Sequence, residues 1–162
     1  MTDLEKRVHQ RLLAAGATVA TAESLTGGRL AAALTATPGA SATYVGGAVT
    51  YATDLKISLL GVDPALVERH GVVSAECAKA MAAGVLALTG ATYAVATTGL
   101  AGPDEQDGRP AGTVFLGLAG PALLEAVALE LSGRRQQVQE RTVHEALTAL
   151  DAAVRREETP LG

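Results

Sequence analysis

The sequence predicts an α/β protein, a three-layer α/β/α sandwich with a mixed, mostly parallel sheet. Short apolar stretches rich in β-branched residues alternate with stretches in which apolar residues recur at helical spacing. That alternation places helices on both faces of a sheet. The last two strand segments follow one another across Gly120 and Pro121, as in a hairpin, which makes the sheet mixed. The 162 residues are expected to form one domain over 1–162.

The first half of the chain begins with a predicted helix over residues 3–15. Leu4, Val8 and Leu12 lie on one stripe of this helix, and Gly16 is typical of a C-terminal stop. The segments that follow are a strand (17–22), a polar turn (23–28), a helix (29–36), a loop (37–41), a strand (44–51) and a short helix (53–61).

The second half of the chain contains two helices with clear start signals. Asp63 and Pro64 begin a helix over 63–71, and Ser74 caps a helix over 74–90. After them, the last strand segment also fits helix propensity, but its brevity and flanking glycines favour a strand. The remaining segments are a buried strand (92–99), a turn-rich loop (100–112), two strands (113–120 and 123–133) and a final helix (135–156).

Composition and charge argue against several classes of function. The net charge is −4, aromatic residues make up 2% of the chain, and no basic stripe is present, so nucleic-acid binding is disfavoured. No apolar run is long enough for a membrane span, and the charged N-terminus does not resemble a signal peptide. A single cysteine gives no internal disulfide. A cytoplasmic protein is the expectation.

Neither a metal nor a cofactor is expected from the residues. His9, His70 and His144 lie far apart in the sequence, and none has a second ligand at a suitable spacing. Cys77 lies among alanines in the middle of a predicted helix, where it is interpreted as a small core thiol.

Two polar turns follow predicted strands. In "ESLTGG" (23–28), hydroxyl groups and two glycines precede a helix, an arrangement that favours anions; the alternative is that Ser24 or Thr26 only caps the helix. In "TTGLAGPDE" (97–105), Thr98 and Gly99 end a buried strand. Ligands of open α/β sheets bind at the carboxyl ends of strands, so these two turns can form one site.

Ser41, Tyr51 and Lys56 form a third candidate set. A serine hydroxyl needs a base to become a nucleophile, and a lysine can be that base if burial lowers its pKa. Leucine and isoleucine surround Lys56 in the sequence, which favours burial, and the phenol of Tyr51 can relay or position a proton. From the residues alone, the alternative of a surface lysine, an interface tyrosine and a capping serine stays open.

Several motifs carry a resemblance to a known family. In order, they are "TAESLTGG", "GGAVTYATDLK", "GVVS", "TTGLAGPD" and "PAGTVFLGL". Together they resemble the CinA C-terminal domain family, the PncC-type nicotinamide-nucleotide amidases, in its stand-alone form. The resemblance covers about residues 5–155.

The resemblance implies hydrolysis of the carboxamide of nicotinamide mononucleotide (NMN) to nicotinate mononucleotide and ammonia, without a metal. It implies a homo-oligomer and a catalytic trio whose spacing fits Ser41, Tyr51 and Lys56. The substrate contacts that it implies are Ser24, Thr26, Gly27, Gly28, Thr98, Gly99 and Arg135. At Gln139 the family often has a further arginine, so one implied cationic contact is missing; the alternative is that Arg134 or Arg141 compensates for it. The alternative function is a nucleotide-binding regulatory module linked to competence and DNA damage, without catalysis.

Overall fold

The computed structural model describes residues 2–158 as five strands and six α-helices. In chain order they are α1 (Asp3–Ala15), β1 (Val19–Glu23), α2 (Arg29–Thr35), β2 (Tyr44–Val49), α3 (Thr53–Ser58), α4 (Pro64–His70), α5 (Ala75–Thr89), β3 (Tyr93–Gly99), β4 (Thr113–Gly120), β5 (Leu123–Glu130) and α6 (Arg135–Glu158). A short 3₁₀ helix over Ala40–Ala42 lies in the segment predicted as a loop.

The five strands form one mixed sheet in the order β2-β1-β3-β4-β5. β1 pairs in parallel with both β2 and β3, whereas β4 runs antiparallel to both β3 and β5. Four strands therefore run in one direction and β4 opposes them, which confirms the predicted fold class. The ambiguous last strand segment is a strand, β5. As a result, the carboxyl ends of β1, β2 and β3 lie at one edge of the sheet.

Helices cover both faces of the sheet. On one face, α1, α2 and α6 bury a core of larger aliphatic side chains, among them Leu12, Leu30 and Leu150. On the other face, α5 packs against alanines of β1 and β3. A Cβ added at Gly117 of β4 would lie 2.0 Å from the Ala78 carbonyl oxygen, so this glycine lets α5 approach the sheet closely.

Local sequence sets the helix ends as predicted. The Asp63 side chain accepts a hydrogen bond from the Ala65 amide at the start of α4, and the Ser74 side chain accepts one from the Cys77 amide at the start of α5. Gly16 ends α1 in the left-handed conformation, at φ +63°. These caps fix where each loop leaves its helix.

The second strand ends two residues earlier than predicted. The Thr50 amide donates to the Glu23 carbonyl at 2.9 Å, and the chain then turns into α3. Both the Thr50 and the Tyr51 carbonyls point to the side chain of Lys56, which lies in the last turn of α3. The turn thus brings Lys56 back to the edge of the sheet.

Candidate active site

A cavity of about 300 Å³ opens at the edge where β1, β2 and β3 end. Its lining comes from the turn after β1, the segment after β2, the loop after β3 and the first residue of α6. Among the lining residues are Ser24, Tyr51, Lys56, Thr98, Gly99 and Arg135. The carboxyl-end rule for parallel strands therefore locates the cavity correctly.

Lys56 is buried, with 1% of its surface exposed. Its Nζ lies 3.0 Å from Ser24 Oγ, 2.6 Å from the Thr50 carbonyl oxygen and 3.2 Å from the Tyr51 carbonyl oxygen. Within residues 2–158, no carboxylate forms an ion pair with it. Burial without a counter-charge lowers the pKa of Lys56 below its ordinary value of 10.5.

As an ammonium group, Lys56 Nζ donates to all three oxygens, Ser24 Oγ included, while burial favours its neutral form. A neutral amine has two N–H groups and one lone pair, and the two carbonyls accept the N–H groups. The lone pair can then accept the proton of Ser24 Oγ, which makes Lys56 a base for that hydroxyl. Cys77 lies close to Lys56 on the α5 side, and burial raises the pKa of its thiol to about 11. Cys77 is fully buried in the core, as predicted.

Glu23, the last residue of β1, holds the turn that carries Ser24. Its buried carboxyl group accepts hydrogen bonds from Thr26 Oγ1 at 2.6 Å and from the amides of Gly28, Leu30 and Ala31 at 2.8 to 3.2 Å. The N-terminus of α2 is therefore occupied by a side chain of the protein itself. Of the two alternatives that the sequence left open, an anion site or a helix cap, the structure shows a cap, and its acceptor is Glu23 in place of Ser24 or Thr26.

Thr26, Gly27 and Gly28 shape this turn. Thr26 is fully buried and its Oγ1 also lies 2.8 Å from Thr97 Oγ1. Gly27 and Gly28 take φ values of +56° and +98°, which favour glycine. None of the three is among the described residues that line the cavity, and the contacts to substrate implied for them stay a prediction.

Ser41 lies at the opposite edge of the sheet from Lys56. It is exposed, in the 3₁₀ helix before β2, whereas Lys56 follows β2. Six strand residues separate the two ends, and at about 3.3 Å per residue that is roughly 20 Å. The expected contact between Ser41 and Lys56 is therefore not formed, and Ser24 is the serine beside the lysine.

Tyr51 contacts Lys56 differently from the expectation. Its main-chain carbonyl accepts the lysine hydrogen bond, while its phenol oxygen accepts a hydrogen bond from Arg135 Nη2 at 3.0 Å. The phenol is thus directed toward α6 at the cavity mouth. Arg135 Nη1 also donates to the Gly102 carbonyl at 2.7 Å, which links α6 to the loop after β3.

Thr98 and Gly99 lie at the cavity as expected. The Thr98 hydroxyl donates to the Val72 carbonyl at 2.7 Å. A Cβ added at Gly99 would lie 2.6 Å from the Thr113 carbonyl oxygen, so β4 approaches too closely for any side chain here. Gln139, in contrast, is outside the described cavity lining, and its Nε2 donates to the Leu25 carbonyl at 2.9 Å.

Sequence reasoning missed the role of Glu23 and the pairing of Ser24 with Lys56. A signal was available for the pairing of Ser24 with Lys56, but none for Glu23. Ser24 directly follows β1 and Lys56 follows β2, so the carboxyl-end rule already applied to Thr98 and Gly99 also brings these two residues together. Ser41 precedes its strand, which by the same rule places it at the other edge.

Within residues 2–158, no group of three or more His, Cys, Asp or Glu side chains is arranged to hold a metal ion. In the same part of the chain, no helix combines the length and apolar character that crossing a membrane requires.

The chain matches the family model of the CinA C-terminal domain over residues 1–154. It is 49% identical over 144 residues to a CinA-like protein of Frankia casuarinae, covering 89% of this chain and 33% of that protein. It is 48% identical over 138 residues to a CinA-like protein of Mycobacterium marinum, covering 84% and 32%. The chain thus spans about a third of the length of these curated relatives.

Solved structures of similar proteins share the fold. A CinA superfamily protein from Klebsiella pneumoniae superimposes with a TM-score of 0.92 at 37% identity, covering 95% of this chain and 97% of that one. The competence/damage inducible protein CihA from Agrobacterium tumefaciens gives a TM-score of 0.90 at 35% identity and covers 94% of both chains. Sequence motifs, family model and fold agree, and this chain belongs to the CinA C-terminal domain family.

Proposed function

We propose that this protein is an amidase that hydrolyses the carboxamide of NMN to nicotinate mononucleotide and ammonia. One observation carries the proposal: Nζ of the buried Lys56 lies 3.0 Å from Ser24 Oγ, at the wall of a cavity of about 300 Å³. A serine beside a lysine of lowered pKa is a nucleophile with its base. The family resemblance supplies the substrate.

In the first step, Ser24 Oγ attacks the carboxamide carbon and its proton passes to Lys56 Nζ. The tetrahedral intermediate then expels the amide nitrogen, which takes the proton from the Lys56 ammonium and leaves as ammonia. The product is an ester between the nicotinate carbonyl and Ser24 Oγ. Burial of Lys56 favours this cycle, because the ammonium form is poorly solvated and returns its proton readily.

In the second step, a water molecule attacks the ester carbonyl and Lys56 takes its proton. The bond between the acyl carbon and Ser24 Oγ breaks, the proton returns to Ser24, and nicotinate mononucleotide is released. Both steps need donors for the oxyanion. The amides of Leu25 and Thr26 donate to no other group in residues 2–158. We assign the Leu25 amide to the oxyanion, because Leu25 directly follows the nucleophile and lines the cavity.

Charges around the cavity match a pyridine mononucleotide. Arg135 stands at the mouth, where a guanidinium group can bind a phosphate. Asp104 and Glu105 of the loop after β3 line the same cavity and suit the positive charge of the pyridinium ring. Tyr51 orients Arg135 through its phenol, which is the role that we propose for it in place of a proton relay.

The test is ammonia release from NMN by the purified protein, with nicotinate mononucleotide identified by chromatography. Release of both products in equal amounts, abolished in Ser24→Ala, supports the proposal. Tight binding of NMN with no product would overturn it and favour the nucleotide-binding regulatory module instead.

A further inference from the structure

Gln139 lies in the second turn of α6, and 7% of its surface is exposed. Its Nε2 donates a 2.9 Å hydrogen bond to the main-chain carbonyl of Leu25, a residue 114 positions away in the sequence. A buried side-chain amide without a hydrogen-bond partner would destabilise the fold. The bond to the Leu25 carbonyl therefore joins α6 firmly to the turn after β1.

The Leu25 carbonyl is next to the proposed nucleophile. This carbonyl and the Thr26 amide belong to one planar trans peptide, so a bond that holds the oxygen also fixes the direction of the N–H group. The Gly27 amide donates to the Ser24 carbonyl at 3.1 Å, which closes a β-turn over residues 24–27. Leu25–Thr26 is the central peptide of this turn, and such a peptide can flip while both ends of the turn stay in place. The bond from Gln139 therefore selects one of the two orientations of this peptide.

Besides the contact of its hydroxyl with Lys56, Ser24 is held by its main-chain amide from the sheet side. Its amide donates to the Thr97 carbonyl at 3.0 Å, and Thr97 Oγ1 lies 3.3 Å from the same amide. Glu23 holds the far end of the turn through the start of α2. Gln139 adds a hydrogen bond from α6 to the middle of the turn.

The part of α6 that carries Gln139 is firmly packed. Val138 and Thr142 flank it, with 1% and 0% of their surfaces exposed, and the Thr142 hydroxyl donates to the Val138 carbonyl at 2.7 Å. The helix backbone at this position is part of the packed core, which fixes the point from which the Gln139 side chain extends to the turn.

We propose that Gln139 is a positioning residue: its amide holds the Leu25–Thr26 peptide in one orientation, so that the turn that follows Ser24 keeps a single conformation beside Lys56. This rests on the proposed role of Ser24 as nucleophile. It also gives position 139 a function other than the phosphate contact implied by the family resemblance, since Gln139 acts on the nucleophile and not on the substrate.

The experiment measures how fast Ser24 reacts with a fluorophosphonate probe, by intact mass. In this reaction Ser24 Oγ bonds to phosphorus, fluoride leaves, and Lys56 takes the serine proton. The variants are Gln139→Met, which has similar length and no donor, and Gln139→Glu, which places an acceptor against the Leu25 carbonyl. The matched control is Gln136→Met on the same helix, because the exposed Gln136 side-chain amide donates to the exposed Glu140 and not to the turn.

We expect the labelling rate at saturating probe to fall about tenfold in Gln139→Met and further in Gln139→Glu, since loss of alignment at a reacting centre has effects of this size. The probe concentration at half-maximal rate stays within about twofold, and Gln136→Met labels as the wild type does. The pH at which labelling reaches half its plateau stays unchanged, because the contacts of Lys56 with Thr50 and Tyr51 remain.

Three outcomes overturn the inference in distinguishable ways. Equal rates in the wild type and both Gln139 variants overturn the role of Gln139 alone. A smaller labelled fraction at an unchanged rate indicates a merely structural role, because partial unfolding removes active molecules. A shifted pH midpoint indicates the same, because partial unfolding lets water reach Lys56. A wild type that the probe does not label on Ser24 overturns the proposed nucleophile and this inference with it.

Discussion

Nζ of Lys56 lies 3.0 Å from Oγ of Ser24, although the two residues are 32 positions apart in the sequence. They meet because β1 and β2 are parallel neighbours and both residues follow their strands. Ser41 precedes β2, which runs parallel to β1, and therefore lies at the other edge. The topology of the sheet, more than spacing along the chain, decides which serine the lysine can activate.

Substitution of Ser24 and of Ser41 shows which of the two serines is the nucleophile. Ser24→Ala should lower ammonia release from NMN by at least about 1000-fold, because removal of a nucleophile abolishes the covalent step. Ser41→Ala should stay within about twofold of the wild type, since Ser41 is exposed and far from the cavity. Steady-state ammonia release measures both, with circular dichroism as the check on folding. A full loss in Ser41→Ala with normal turnover in Ser24→Ala would restore Ser41 as the nucleophile.

The pH dependence of turnover should follow Lys56. Only the neutral amine accepts a proton, so activity rises with pH through the pKa of Lys56 and is level above it. Burial lowers that pKa, so the rise should be centred below 10.5. Lys56→Arg should abolish turnover at every pH, because a guanidinium group stays protonated. A rise centred at or above 10.5, or turnover in Lys56→Arg, would contradict the assignment of Lys56 as the base.

The sequence predicted the elements of the fold well because most are set locally. Helical spacing, Asp63 and Ser74 as caps, and the β-branched strands act over a few residues, and the observed bounds lie close to the predicted ones. Strand order and side-chain partners depend on tertiary packing instead. The bonds of Glu23 to α2 and of Gln139 to Leu25 join segments whose approach no local pattern reveals. The edge that holds the site was predicted, and its serine was missed because spacing in the sequence, and not the carboxyl-end rule, was used to choose it.

Glu23 should contribute to stability as well as to the site. Its carboxyl group accepts hydrogen bonds from four donors in a buried position. Glu23→Gln replaces one acceptor oxygen by a donor and should lower the free energy of unfolding by about 1–3 kcal/mol. Urea denaturation measures this change. The control is Glu140→Gln on exposed α6 surface, expected within about 0.5 kcal/mol of the wild type. Equal midpoints for Glu23→Gln and the control would show that the carboxyl group does not stabilise the turn.

Arg135 should recognise the phosphate of the substrate. Arg135→Gln removes a guanidinium group at the cavity mouth. KM for NMN should therefore rise about tenfold, because the substrate loses roughly one charge-assisted hydrogen bond. Nicotinamide riboside lacks the phosphate, and its kcat/KM should change by less than about threefold. Arg134→Gln is the matched control, because Arg134 is the exposed neighbour and is not among the described residues that line this cavity. Kinetics of both substrates with both variants test the assignment. If kcat/KM falls equally for NMN and for nicotinamide riboside in Arg135→Gln, the arginine acts through its bonds to Tyr51 and Gly102 and not on a phosphate.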